Sequence, residues 1–329
     1  MASAAVFDMT LPLVGAELPF DASLIEAERT NISTENRQEW LAERRKRFGC
    51  SDIPAIMGED KYRSPLEVWA DKRGLLACDD EMSEPAELGL ELEPYLLHRF
   101  AMRTGRVIYA NRNLFVSKRF PWLAGTPDGF DVTDPGLPTD VQVKTTGRDG
   151  WTDTEVPPYV YTQVQSELLL LGVPIAVVVA LTGGFGPLRA RQYVLSADEE
   201  HQLRIIAECE RMRRRVDQND PPPPDGTASS AGVIRQLYPQ HVESFSIELN
   251  EEFSSLAADL AELKETKKEV DARIEEISQR IKMAMEENEY AATADGTHAF
   301  TFKTQFHRAY TRIVEAGSTR VLRATKPRP

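Results

Sequence analysis

The run Asp140-Val141-Gln142-Val143-Lys144 alternates polar and β-branched residues. On an extended strand, Asp140, Gln142 and Lys144 share one face and the two valines share the other. Shortly upstream, Gly125-Thr126-Pro127-Asp128-Gly129 reads as a strand end followed by a tight turn that displays Asp128. A turn carboxylate beside a strand bearing an oxygen donor and a lysine is a design for Mg²⁺, a hard cation that takes oxygen ligands and keeps waters. Such an ion lowers the pKa of a bound water and offsets charge on a phosphate in transit. The lysine adds a cation that orients the attacking water or stabilises the developing charge. The same residues are equally compatible with a solvated turn aspartate and an edge-strand lysine.

The elements around them follow from pattern. Structure is expected to begin near Trp40, after a loose arm over residues 1–35, and to pass through the basic cluster Arg44–Arg47. Ser51 caps a short helix, Asp52–Met57, that Gly58 ends. Ser64-Pro65 opens a second helix, closed by Gly74. A longer helix over Glu84–Arg103 carries Leu88, Leu92, Leu96 and Phe100 at four-residue spacing. Short apolar runs at Val107–Ala110, Leu114–Val116 and Trp122–Ala124 predict strands. Asp140–Thr146 alternates, and Ile175–Thr182 is β-branched enough for a buried central strand. A helix over Tyr159–Leu171, a strand over Arg191–Leu195 and a helix over Ala197–Val216 complete an α/β core, a central mixed sheet flanked by helices, within residues 36–216. The proline-rich stretch 217–231, with four consecutive prolines at 221–224, is a linker. Residues 232–329 then hold a long helix, a small hairpin (near Ala299–Lys303 and Tyr310–Val314) and a basic tail. From Phe253 to Ala284, apolar residues fall at alternating spacings of three and four, broken only by Lys267. That seam suits coiled-coil pairing or a helix folded back on the main domain.

The 329 residues suffice for two domains, or for one large domain with an appendage. A net charge of −13 argues against a generally basic nucleic-acid binder, although a local basic patch can hide in an acidic total. The charge is uneven. Glu248–Glu289 holds 13 acids against 6 bases, whereas Lys303–Pro329 holds 7 bases against 1 acid. The basic spots at 44–47 and 303–328 are therefore candidate phosphate contacts. Three widely spaced cysteines, Cys50, Cys78 and Cys209, exclude a disulfide scaffold or a zinc finger and predict a reducing, cytoplasmic setting. Met1–Leu13 lacks the pattern of a secretion signal. Leu168–Leu181 is too short, and too interrupted by Gly172 and Pro174, to span a membrane.

Asp128…Gln142-x-Lys144 resembles the PD-(D/E)xK restriction-endonuclease-like nuclease core, with Gln where the acid is expected. Its surroundings resemble one branch of that superfamily, the YqaJ-like viral recombinases that include phage lambda exonuclease. The supporting pieces stand in the family's order: Arg44 seven residues before Ser51 in RRKRFGCSD, Gly89-x-x-x-Glu93-Pro94, Gly125-Thr-Pro-Asp-Gly129, the QVK strand and Tyr159-x-x-x-Gln163-x-Gln165. The resemblance covers about residues 40–195, and the later helix and TFKTQ hairpin are similar to extensions on phage members.

The resemblance implies an Mg²⁺-dependent exonuclease, with Mn²⁺ as substitute, that degrades the 5′-ended strand of linear double-stranded DNA. The 3′ single strands left behind would serve a phage annealing protein inside a bacterial host. It also implies a homo-oligomer, a trimeric ring in lambda-like members. Asp128 would be the central metal ligand, residue 142 the second, and the main-chain carbonyl of Val143 the third. Glu93 would hold the metal through water or bind a second ion. Lys144 would be the catalytic lysine and Gln163 would line the site. Arg44, Ser51 and Thr126 would form a pocket for a 5′-terminal phosphate, joined by Arg148 at a shorter spacing from Lys144 than the family shows. Gln142 departs from the pattern, because an amide offers the metal an oxygen without charge. It marks an introduced substitution that disables the site, a natural tolerance, or a role passed to Asp140, about 7 Å along the same strand face. The rival readings are a catalytically degenerate DNA-end-binding accessory of recombination and an endonuclease on the same core.

Overall fold

The computed structural model describes residues 17–77, 83–147, 150–183, 189–243, 246–307 and 322. Along the chain a helical turn at Ala22–Leu24 leads into β1 (Ala27–Ser33), α1 (Arg37–Arg45), β2 (Phe48–Gly49), α2 (Ile53–Ile56), α3 (Pro65–Lys72) and α4 (Glu84–Thr104). Then come β3 (Ile108–Ala110), β4 (Asn113–Ser117), β5 (Leu123–Gly125), β6 (Gly129–Asp131), β7 (Thr139–Thr146) and α5 (Pro158–Leu171). They are followed by β8 (Ile175–Thr182), β9 (Arg189–Ser196), α6 (Glu199–Gln218) and α7 (Ala228–Leu237). The C-terminal part holds α8 (Glu251–Met285), β10 (Tyr290–Ala292) and β11 (Ala299–Thr301).

The fold is mixed α/β, with two core sheets where the sequence suggested one. One sheet runs β3-β6-β7-β8-β9, in which only the β7–β8 pair is parallel; the other runs β1-β4-β5-β2. Strand β7 owes its central place to its pattern. Val141 and Val143 pack against Leu96, Leu97 and Phe100 of α4 in one apolar cluster. The opposite face of β7 turns toward α5, whose Val164, Leu168 and Leu171 belong to the larger core. The polar face of the strand is thus enclosed by a helix, which is where a buried polar site can form.

Several expectations need correction. Residues 17–35 are not a loose arm: β1 pairs antiparallel with β4 from Ala27↔Ser117. It escaped the pattern because it lies at a sheet edge and only Ala27 among its residues is buried. Ser51 does not cap a helix; it lies within a 3-10 turn, Cys50–Asp52, that leads into α2. On α4, Leu96 and Phe100 are buried but Leu88 is exposed. The proline run is flanked more closely by helix than expected, since α6 extends to Gln218 and Thr227 caps α7. Helix α7 docks on α3 through Ser229, whose hydroxyl donates to Ser64 Oγ at 2.9 Å and meets Glu67. The chain divides into compact units at Pro239/Gln240, so residues 232–239 belong with the first. In the second, β11 pairs with Tyr290–Ala292, and the strand expected at Tyr310–Val314 lies outside the described residues.

Candidate nuclease site

Asp128 occupies the turn between β5 and β6 and is held there from two sides. Asn111, buried at the end of β3, donates from Nδ2 to the Pro127 carbonyl at 2.9 Å, and its backbone N–H reaches the Asp128 carbonyl at 3.0 Å. The Asp128 carboxylate accepts from the Val143 N–H at 2.7 Å, which ties it to β7 one residue before Lys144. Gly129 permits this packing, since a Cβ there would lie 2.8 Å from the Tyr109 carbonyl oxygen. Glu93 comes from α4 beside Pro94, whose missing N–H loosens the helix at that turn. Glu93, Asp128 and Lys144 line one cleft of about 770 Å³, together with Trp40, Ser51, Arg112 and Thr126.

Carboxyls gather in and behind the cleft. Burial and the neighbouring Asp128 push the Glu93 carboxyl up to about 8, against the pull of Lys144 and Arg112. Burial also raises Asp128, opposed by Lys144 and the Val143 N–H. Beneath them Asp140 is fully buried, and burial with the charge of Asp128 lifts it to about 7. Glu167 of α5, 2% exposed, is raised well above the carboxylate range by burial and by Asp140. Four carboxyls, all reached by Lys144 and only Glu93 also by Arg112, suit a site completed by a cation.

Gln142 is fully buried and lines neither this cleft nor the pocket beside it. Its Nε2 donates to Asp140 Oδ1 at a long 3.5 Å, and its Oε1 has no hydrogen-bond partner. Val143 presents its N–H to Asp128, and its side chain lies in the core. Among the described residues no three His, Cys, Asp or Glu side chains form a ready metal cage. The oxygen donors nevertheless fit Mg²⁺, which is usually held by one or two carboxylates, waters and substrate phosphates rather than by an all-protein cage. The unpartnered oxygen of Gln142 supports that fit.

Arg44, Ser51, Thr126 and Gln163 meet in an adjoining pocket of about 160 Å³, with Trp40 and Glu167 in its walls. Within the basic cluster 44–47, Arg44 is held by the fold and not left to solvent. Its guanidinium donates to Ser51 Oγ at 2.8 Å and Asp52 Oδ1 at 3.0 Å, and it stacks 4.6 Å from the Trp40 ring centroid. Trp40 donates in turn to Thr126 Oγ1 at 3.0 Å. Gly49 leaves room for the guanidinium, since a Cβ there would sit 3.0 Å from Arg44 Nη2. Asp52 anchors this arrangement from below, fully buried and paired also with Arg63 and, at 2.7 Å, with Lys72. Gln163 donates from Nε2 to Glu167 Oε1 at 2.9 Å. Arg148 lies outside the described residues.

The structure therefore brings Glu93, Asp128 and Lys144 to one cleft and Arg44, Ser51, Thr126 and Gln163 to its neighbour. The two share Trp40, Ser51 and Thr126. Trp40, Asp52 and Glu167 were not singled out by sequence as site residues. The i,i+4 spacing of Gln163 and Glu167 was the one available signal, and only for Glu167.

Residues 39–173 match the family model of the YqaJ-like viral recombinase domain, and residues 246–309 match that of the HSCB C-terminal oligomerisation domain. The chain is 27% identical over 264 residues to "Uncharacterized protein YqaJ" of Bacillus subtilis (strain 168), covering 78% of this chain and 80% of that one. Similar solved structures include an alkaline exonuclease (LHK-Exo) from Laribacter hongkongensis, with 17% identity, TM-score 0.43 and coverage of 56% of this chain and 94% of that one. Another is a phage related exonuclease from Haemophilus somnus 129PT, with 14% identity, TM-score 0.39 and coverage of 53% and 94%.

Proposed function

We propose, for a chain whose residues 39–173 match the model of the YqaJ-like viral recombinase domain, that it is a divalent-metal-dependent DNA exonuclease. It would digest the 5′-ended strand of linear duplex DNA and leave 3′ single strands for an annealing protein, in a bacterial host and encoded by a phage or prophage. The observation that carries this reading is the shared wall of the two cavities, which sets a carboxylate–lysine cleft beside an arginine–hydroxyl pocket. A chain end whose 5′ phosphate sits on Arg44, Ser51 and Thr126 would lay its first phosphodiester toward Asp128 and Lys144.

Asp128, residue 142, the Val143 carbonyl and Glu93 would hold Mg²⁺ or Mn²⁺; when bound, the ion makes a water acidic and offsets phosphate charge. Lys144 orients the attacking water by hydrogen bonding and faces the charge that builds on the phosphorus oxygens. Arg44, stiffened by Asp52 and Trp40, grips the terminal phosphate as a planar donor. The match of residues 246–309 to an oligomerisation domain, with the exposed apolar seam of α8, supports self-association, which in lambda-like relatives takes the form of a trimeric ring.

The test is incubation of linear duplex labelled at either 5′ or 3′ ends with Mg²⁺, alongside covalently closed circles. Loss of the 5′-ended strand, abolished in Lys144→Ala and sparing circles, is expected. Cutting of circles would make it an endonuclease. Tight end-binding without digestion would favour a degenerate binding accessory, a reading motivated by the uncharged Gln142.

A further inference from the structure

Three buried acceptor oxygens on β7 and α5, Asp140 Oδ2, Gln142 Oε1 and Glu167 Oε2, find no N–H or hydroxyl donor, although the Asp140 and Glu167 carboxyls lie within hydrogen-bonding reach of each other. An acceptor buried without a donor is costly, and buried polar atoms are almost always satisfied. The residues form one group, since Gln142 donates to Asp140 and Asp140 is within hydrogen-bonding reach of Glu167. Lys144 is the cation whose charge reaches both acids.

Glu167 is out of place as a purely structural residue. It sits on α5 at the turn where Leu168, Leu170 and Leu171 fill the core, and it is as buried as they are. A carboxylate there carries a desolvation cost that glutamine or leucine would avoid. Its Oε1 is fixed by Gln163, and its side chain forms part of the pocket wall that holds Arg44, Ser51 and Thr126. Its second oxygen is the unsatisfied one.

We propose that Glu167 supplies the negative charge missing at position 142, as a metal-holding carboxylate delivered from α5 instead of from β7. The proposal rests on the metal-dependent reading above and deepens it. It accounts for an amide on the strand beside a buried acid on the facing helix, because the charge is moved between elements and not lost. Gln142 then contributes its neutral oxygen, and the three unsatisfied acceptors share one role.

Calorimetric titration of Mn²⁺ into the full-length protein tests this without reference to nuclease activity. Glu167→Gln is expected to weaken Mn²⁺ binding at least tenfold, and the double variant Gln142→Glu with Glu167→Gln to return it to within about threefold of the parent. Equal affinity in the parent and Glu167→Gln would overturn the proposal, as would a double variant no better than the single one. Circular dichroism checks folding. If Glu167→Gln does not fold, Glu167→Asp carries the test: a shortened carboxylate should still bind, but at least threefold more weakly, and unchanged affinity would count against the idea. A parent protein that binds Mn²⁺ yet leaves duplex ends intact would sink the exonuclease reading and leave this one standing. A parent that binds no Mn²⁺ would overturn both.

Discussion

Burial by itself would push the Asp52 carboxyl up, but Lys72, Arg63 and Arg44 together hold it well below the usual carboxylate range. Its unfolded value is about 3.9. A depressed native value contributes stability above that pH, and the contribution disappears as the pH falls toward the native value. Asp52→Asn is therefore expected to cost about 3–5 kcal/mol at pH 7, as for a buried ion cluster stripped of one partner. The deficit against the parent should shrink at pH 3.5. Urea unfolding at the two pH values measures both, and an equal deficit at each would contradict the assignment. Individual residues were unevenly legible in sequence. Asp128 and Lys144 stand out through local spacing, whereas Glu93 came only from the family resemblance. Asp52 does not, because Arg63 and Lys72, two of its three partners, arrive from 11 and 20 residues away, and nothing in GCSD distinguishes a buried anchor from a surface acid. Gln142 was legible as a departure from pattern, but its missing partner was visible only once α5 was in place.

Among the elements, those with strong periodicity were recovered to within a residue or two: α3, α4, α5, β7 and β8 all stand where their patterns put them. Helices α1 and α7 and strand β10 were missed; the missed core strands, β1, β2 and β6, are short or lie at an edge, where half the pattern is turned to water or there are too few residues to alternate. Strand β6 shows what a three-residue strand can demand. With the Tyr109 carbonyl 2.8 Å from any Cβ, Gly129→Ala must shift backbone, and a loss of about 1–3 kcal/mol is expected in thermal or urea unfolding. Helix α8 poses the opposite case, since it formed as read but leaves Phe253, Leu256, Leu260, Leu263, Val270, Ile274 and Ile277 exposed. A seam of that length predicts pairing with another helix. Replacing both Leu263 and Ile274 with Asp should lower the oligomer mass in sedimentation while leaving the unfolding transition of residues 17–239 in place. An unchanged mass would remove α8 from any assembly role.

The molecule as a whole is acidic at −13, and of the three cations around Asp52 (Arg44, Arg63 and Lys72) only Arg44 lines the pocket proposed for a terminal phosphate. Few phosphate contacts in an acidic background mean weak binding that salt weakens further. The logarithmic salt slope of duplex binding should fall by about 1 in Arg44→Ala, the share of one lost phosphate contact, and an unchanged slope would show that Arg44 touches no phosphate. The division at Pro239/Gln240 has one more implication. Every described residue from 240 to 250 is exposed and outside regular structure, with Val242 and Ile247 among the most open apolar side chains. That stretch is open to a protease, and cleavage there would leave both cavities whole on one fragment. Among the described residues, the second compact unit contributes none to the lining of either cavity. Across relatives, the fragment that holds both cavities is therefore expected to be the constant part and the appendage the variable one.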